Sequence, residues 1–149
     1  MATKLFIILG NQLFDPIILK EVGCNRVFMA EDFGLCTYEK HHKLKLYLFL
    51  TAMREYCKEL ESHGIIVDYF PLEGRKKEES YVKLLLNYLH ESKFSSINFF
   101  EIEDKPFEKI VFQELENSKI KHTVHNSPMF LFTRNTLKSS LGDKKLYRM

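Results

Sequence analysis

The chain has 149 residues, of which 45% are hydrophobic and 28% charged, with a formal net charge of +2. That composition excludes a disordered chain, supports one domain with its own core, and carries too little charge to require nucleic acid as a partner. The three cysteines, Cys24, Cys36 and Cys57, are scattered and odd in number; they form no C-x-x-C pair, so neither a disulfide framework nor a metal motif is indicated and a reducing cytoplasm is the expected setting. The opening MATKLFIILGNQLF lacks the pattern of a signal peptide, and the longest apolar block, residues 46–50, is too short to cross a bilayer.

Short apolar runs alternate with longer helical patterns along the chain. The runs are KLFIIL (4–9), RVFMAE (26–31), IIVDYF (65–70), SINFFE (96–101) and IKHTVH (120–125). Their β-branched and aromatic content predicts strands, and the first is apolar on successive residues, as a strand buried on both faces should be. Helical periods fill residues 42–63, 79–92 and 106–117; Gly64 supplies a stop after the first, and Pro106 suits the first turn of the third. Five strands joined by crossovers of this length predict an α/β fold: a doubly wound, five-stranded parallel sheet of Rossmann or flavodoxin-like type. After residue 132, Thr133 or Asn135 can cap a short helix ending at Leu141 and Gly142, followed by the basic tail GDKKLYRM. The expected division is an α/β domain over 1–132 and a helix and tail over 133–149 leading toward a second domain.

In such a sheet, ligands bind beyond the carboxyl ends of the strands where strand order reverses. Gly10, Asn11 and Gln12 follow the first strand. If the helical period reaches back to Tyr38, then Tyr38, His42, Lys45 and Phe49 share one face, beside a core stripe of Leu46, Leu50, Met53, Cys57 and Leu60. His41, His42, Lys43 and Lys45 oppose the helix dipole at its start, which calls for an anion: Glu31, Asp32, Glu39 or a ligand. The adjacent histidines point about 100° apart on a helix and cannot share one metal ion. Glu101, Glu103 and Asp104 after the fourth strand form either a solvated acidic loop or ligand contacts. No G-x-G-x-x-G, P-loop or G-x-S-x-G motif is present, and no catalytic residue or metal ligand is assigned.

Several motifs stand in a fixed order: LGNQL (9–13), then Glu31, Tyr38, HHKLK (41–45), Phe49 and AMR (52–54), then FLF (130–132), Arg134 and GDKKLYRM (142–149). In that order they resemble the bacterial photolyase-related proteins, the iron–sulfur cryptochrome/photolyase group. The resemblance implies an N-terminal antenna domain that holds a lumazine or flavin-like chromophore. The flavin, the iron–sulfur cluster and the site of light-dependent DNA repair would belong to a helical domain beyond Met149, supplied in cis or in trans. It also implies a site of Gly10, Asn11, Gln12, Leu13, Glu31, Tyr38, His42, Lys43, Lys45 and Phe49, with no catalysis in this chain alone, no membrane partner, and DNA met only through the other domain. Asn11 stands where that group usually has aspartate, Leu35 where an acidic residue is common, and Phe49 where the residue is aliphatic. The absence of tryptophan fits a chain without the redox half. The alternatives are a stand-alone interaction or nucleotide-binding module with a degenerate site, and DNA contact through Lys138, Lys144, Lys145 and Arg148.

Overall fold

A computed structural model describes residues 5–92, 94 and 96–142; Lys144, Lys145 and Arg148 of the basic tail lie outside the described residues. In chain order the elements are β1 (Leu5–Ile7), α1 (Pro16–Glu21), β2 (Arg26–Ala30), α2 (Phe33–Thr37), α3 (Lys43–Ser62), β3 (Ile66–Phe70), α4 (Tyr81–Ser92), β4 (Ser96–Phe100), α5 (Lys105–Asn117), β5 (Lys121–His125) and α6 (Arg134–Leu141). All five expected strands pair in parallel, in the order β3-β2-β1-β4-β5. The chain therefore winds one way from β1 and then crosses back to the other side of it, so strand order reverses between β1 and β4.

The unbroken apolar character of β1 follows from its central place. Leu5, Ile7 and Leu9 enter a core with α4 and α5, whereas Phe6 and Ile8 enter a second core with α1 and α3. Successive side chains of a strand point to opposite faces, so a strand covered on both sides needs apolar residues at every position. β2 divides in the same way, with Phe28 and Ala30 in the first core and Val27 and Met29 in the second. The edge strand β5 keeps Lys121, Thr123 and Val124 exposed, a charged margin that discourages pairing with another chain.

The α3 helix matches its predicted span to within a residue, and it ends before Gly64, which takes φ 78°. Its phase differs from expectation. Met53, Tyr56 and Leu60 are its buried residues, while Leu46, Leu50 and Cys57 are only partly covered. The helical period also does not reach Tyr38: His42 is the N-cap of α3, its Nδ1 accepting from Leu44 N at 3.2 Å, and Tyr38 is the C-cap of the separate α2. The short helices α1 and α2 span too few residues to register a period, yet each is started by an aspartate, Asp15 and Asp32. The final helix is capped by Thr133 and closed at Gly142 as predicted.

Asp104 caps α5, its Oδ1 accepting from Phe107 N at 3.0 Å. Asp104→Ala is expected to lower stability by about 1 kcal/mol, roughly 2–4 °C in melting temperature for a chain of this size, as thermal denaturation followed by circular dichroism would show.

Candidate functional site

The cleft forms where strand order reverses. Beyond β1, the turn at residues 10–12 is closed by Gln12 N donating to Leu9 O at 2.9 Å. Asn11 Nδ2 then donates to Glu103 Oε2 at 3.0 Å, and Gln12 Nε2 to Glu101 O at 2.9 Å and to Glu103 Oε1 at 3.3 Å. The two amides thus tie the loop after β1 to the loop after β4. The carboxylates of this acidic loop are engaged within the protein: Glu101 is buried, Glu103 is bound by both amides and Asp104 is an exposed helix cap.

Between these loops and α3 lies a cleft of about 220 Å³. One wall comes from the inner face of α3, through Lys45, Leu46, Phe49, Leu50 and Met53; the opposite wall comes from Tyr81, Ile102 and Phe107. Asp32, Leu35 and Cys36 of α2 and its cap, with Tyr38 and His41, complete the lining. The tight approach of α3 depends on Gly10, where an added Cβ would lie 2.6 Å from Phe49 Cζ and 2.7 Å from Met53 Sδ. Phe49 consequently packs down on the turn and lines the cleft instead of filling it.

Of the residues expected at a site, Gly10, Asn11, Tyr38, Lys45 and Phe49 line this cleft. Gln12 stands behind it as a fully buried tie, Leu13 packs into the α1/α3 core, His42 is occupied in capping, and Lys43 is an exposed N-terminal residue of α3. His41, not His42, faces the cleft. Glu31 turns away into a separate network, where it accepts from Arg54 Nε at 2.6 Å, Arg54 Nη2 at 3.0 Å, Tyr69 OH at 2.6 Å and Leu72 N at 2.9 Å. Arg75 donates to the Glu31 carbonyl. Burial pushes the Glu31 carboxyl upward, but the hydrogen bonds from Arg54, Tyr69 and Leu72 outweigh it and hold the group below its ordinary range.

Sequence reasoning missed Asp32 as a wall residue, along with Cys36, His41, Tyr81, Ile102 and Phe107. Asp32 was legible only as a countercharge, and the residues of α4, α5 and the β4 loop meet the cleft through strand order alone. The basic start of α3 keeps its electrostatic conflict. Among the described residues Lys43 and Lys45 form no ion pair with a carboxylate, and Lys45 Nζ lies 3.5 Å from His41 Nδ1. No group of three or more His, Cys, Asp or Glu among the described residues is arranged to hold a metal ion, and no described helix is long and apolar enough to cross a membrane.

In the comparison with known families, the model for "Deoxyribodipyrimidine photo-lyase-related protein" matches residues 6–149. The chain belongs to this photolyase-related family. No curated protein matches it. Within the photolyase-related chain, two of the motif segments that carry the resemblance, LGNQL and the stretch from HHKLK to AMR, contribute to the cleft, through Gly10 and Asn11 and through His41, Lys45 and Met53.

Proposed function

We propose that this chain is the chromophore-binding, antenna-type domain of a photolyase-related protein associated with light-dependent DNA repair. It has no catalysis of its own; the repair chemistry would lie with a flavin-bearing helical domain in cis or in trans. The observation that carries this reading is the open cleft at the strand-order reversal, with aromatic and aliphatic walls and, at its margin, Lys45, which forms no ion pair among the described residues. Its volume is below the ~300–1,000 Å³ of pockets that enclose a whole drug-sized ligand, which suits a flat aromatic head inserted between Phe49 and Phe107 with its polar tail outside. The residues present fit a lumazine or flavin-like group: apolar faces for the ring, and Lys45 with His41 beside the tail. When bound, such a group supplies absorption of near-ultraviolet to blue light and passage of the excitation to a neighbouring flavin. A degenerate site would instead have Phe49 across the cleft and Lys45 paired to an internal carboxylate; among the described residues Phe49 lines the cleft and Lys45 forms no ion pair.

Titration of the 149-residue chain with a lumazine and with riboflavin tests the reading. Saturable binding is expected, with thermal stabilisation of about 2.7 kcal/mol at a ligand concentration one hundred times Kd. Neither fluorescence change nor thermal shift with either compound would sink it. Lys45→Ala should weaken binding about two- to fivefold, more at low salt. The same substitution should slightly raise the melting temperature of the free chain, because it removes a cation from the first turn of α3.

A further inference from the structure

Each end of α3 carries the wrong charge for the helix dipole. The first turn holds Lys43 and Lys45 and no acidic residue, and the last turn holds Glu59 and Glu61 and no basic residue. The dipole favours the reverse at both ends. Lys43, Glu59 and Glu61 form no ion pair among the described residues, so no described salt bridge relieves the conflict at these positions.

The same helix leaves an apolar face open. Leu44, Tyr47 and Leu48 are 63%, 71% and 70% exposed, whereas Met53, Tyr56 and Leu60 bury the opposite side. Leu44, Tyr47, Leu48 and Thr51 follow the spacing of a single helical stripe. Glu55 and Lys58, an exposed pair at 2.7 Å, continue it toward the C-terminus. Lys43 and Glu61 stand about five full turns apart and therefore flank the stripe on the same side.

We propose that this face pairs with the same face of a second copy of the chain, the two α3 helices running antiparallel and crossing near Thr51. Charge complementarity selects the occupant. A partner that is merely acidic would suit the basic start and oppose the acidic end, and a parallel copy would set like charges together at both ends. An antiparallel copy sets Lys43 of each chain beside Glu61 of the other, and the two helix dipoles also oppose one another. The contact is isologous, so each pair occurs twice about a two-fold axis. Leu44, Tyr47 and Leu48 of one copy then rest on Thr51 and on the aliphatic stems of Glu55 and Lys58 of the other. The stripe lies apart from the wall that α3 gives the cleft through Lys45, Leu46, Phe49, Leu50 and Met53, so the pairing does not depend on what the cleft binds.

Sedimentation velocity of the 149-residue chain over a concentration series, with circular dichroism to verify folding, tests the pairing. A monomer–dimer equilibrium is expected, with Kd on the order of micromolar and weakening as salt is raised. Leu48→Glu should weaken it about tenfold or more. Lys43→Glu and Glu61→Lys should each weaken it about three- to tenfold, and the two combined in one chain should return the affinity to within about twofold of wild type. Each single reversal also corrects one end of the dipole, so the melting temperature of the dilute monomer should rise slightly while the dimer weakens; a substitution that merely disturbs the fold would lower both. A monomer throughout the series overturns the proposal and leaves the face to a partner of different sequence. A dimer indifferent to Leu48→Glu, or one that the double reversal fails to restore, overturns the antiparallel pairing of α3.

Discussion

Glu31→Ala is expected to destabilise the chain by about 3 kcal/mol, a value at the low end for breaking a buried ion pair. Glu31 is 1% exposed and accepts from two nitrogens of Arg54, from the Tyr69 hydroxyl and from Leu72 N. Its removal strands the last two donors at the carboxyl end of β3. Arg54 retains Glu73, at 3.0 Å, and partial access to water, which keeps the loss from reaching the upper end of the range. The acid dependence has a definite sign. Because the folded state depresses the Glu31 pKa, its contribution is complete above the unfolded glutamate pKa of about 4.3 and disappears as pH falls through the lower folded value. Urea denaturation of wild type and Glu31→Gln at a series of pH values should give a stability difference that is constant near neutrality and shrinks below about pH 4. Asp68 and Glu108 are depressed in the same direction, but they are common to both proteins and leave the difference to Glu31. A stability difference independent of pH would contradict the assignment.

Gly10→Ala should act on the cleft and on stability together. The new Cβ would lie 2.6 and 2.8 Å from two atoms of the Phe49 ring and 2.7 Å from Met53 Sδ, distances at which something must move. Met53 is in the core at 1% exposure, so the ring of Phe49, which lines the cleft, is the group able to yield. Overpacking of this kind costs about 1–3 kcal/mol. The displaced ring takes ligand space, and lumazine or riboflavin affinity should fall more than tenfold. Since Gly10 does not have a positive φ among the described glycines, the effect is one of volume, and Phe49→Leu should recover part of it. Denaturation midpoints and chromophore titrations of the two single variants and the double variant would measure that coupling. Strictly additive effects would show that the two residues do not share the contact.

The strands were legible because each is a short apolar run, and β1 in particular must satisfy two cores at once. The long helix was legible for its period, but its azimuth was not. The loop after α2 breaks the helical phase, so Tyr38 could not be projected along α3, and of the adjacent histidines the one nearer the helix became its cap. Glu31 follows β2 at the carboxyl edge of the sheet as its sequence position indicates, yet Arg54, 23 positions later, engages its carboxylate. Tyr81 and Phe107 carried no local sign of a binding role, since each also reads as an ordinary aromatic at the start of a core helix. Only the order of strands brings them opposite Phe49.

The bond between Asn11 and Glu103 spans 92 positions of the chain, and its consequence lies in the order of folding. β1, β2 and β3 with their helices are assembled from neighbouring segments, whereas the crevice has only one wall until β4 crosses the sheet to pair with β1. That long-range closure carries a loop-entropy cost and is intrinsically slow. On the proposed reading, a chromophore that needs both walls would bind only chains that have completed the crossover, and its uptake during refolding would time that step.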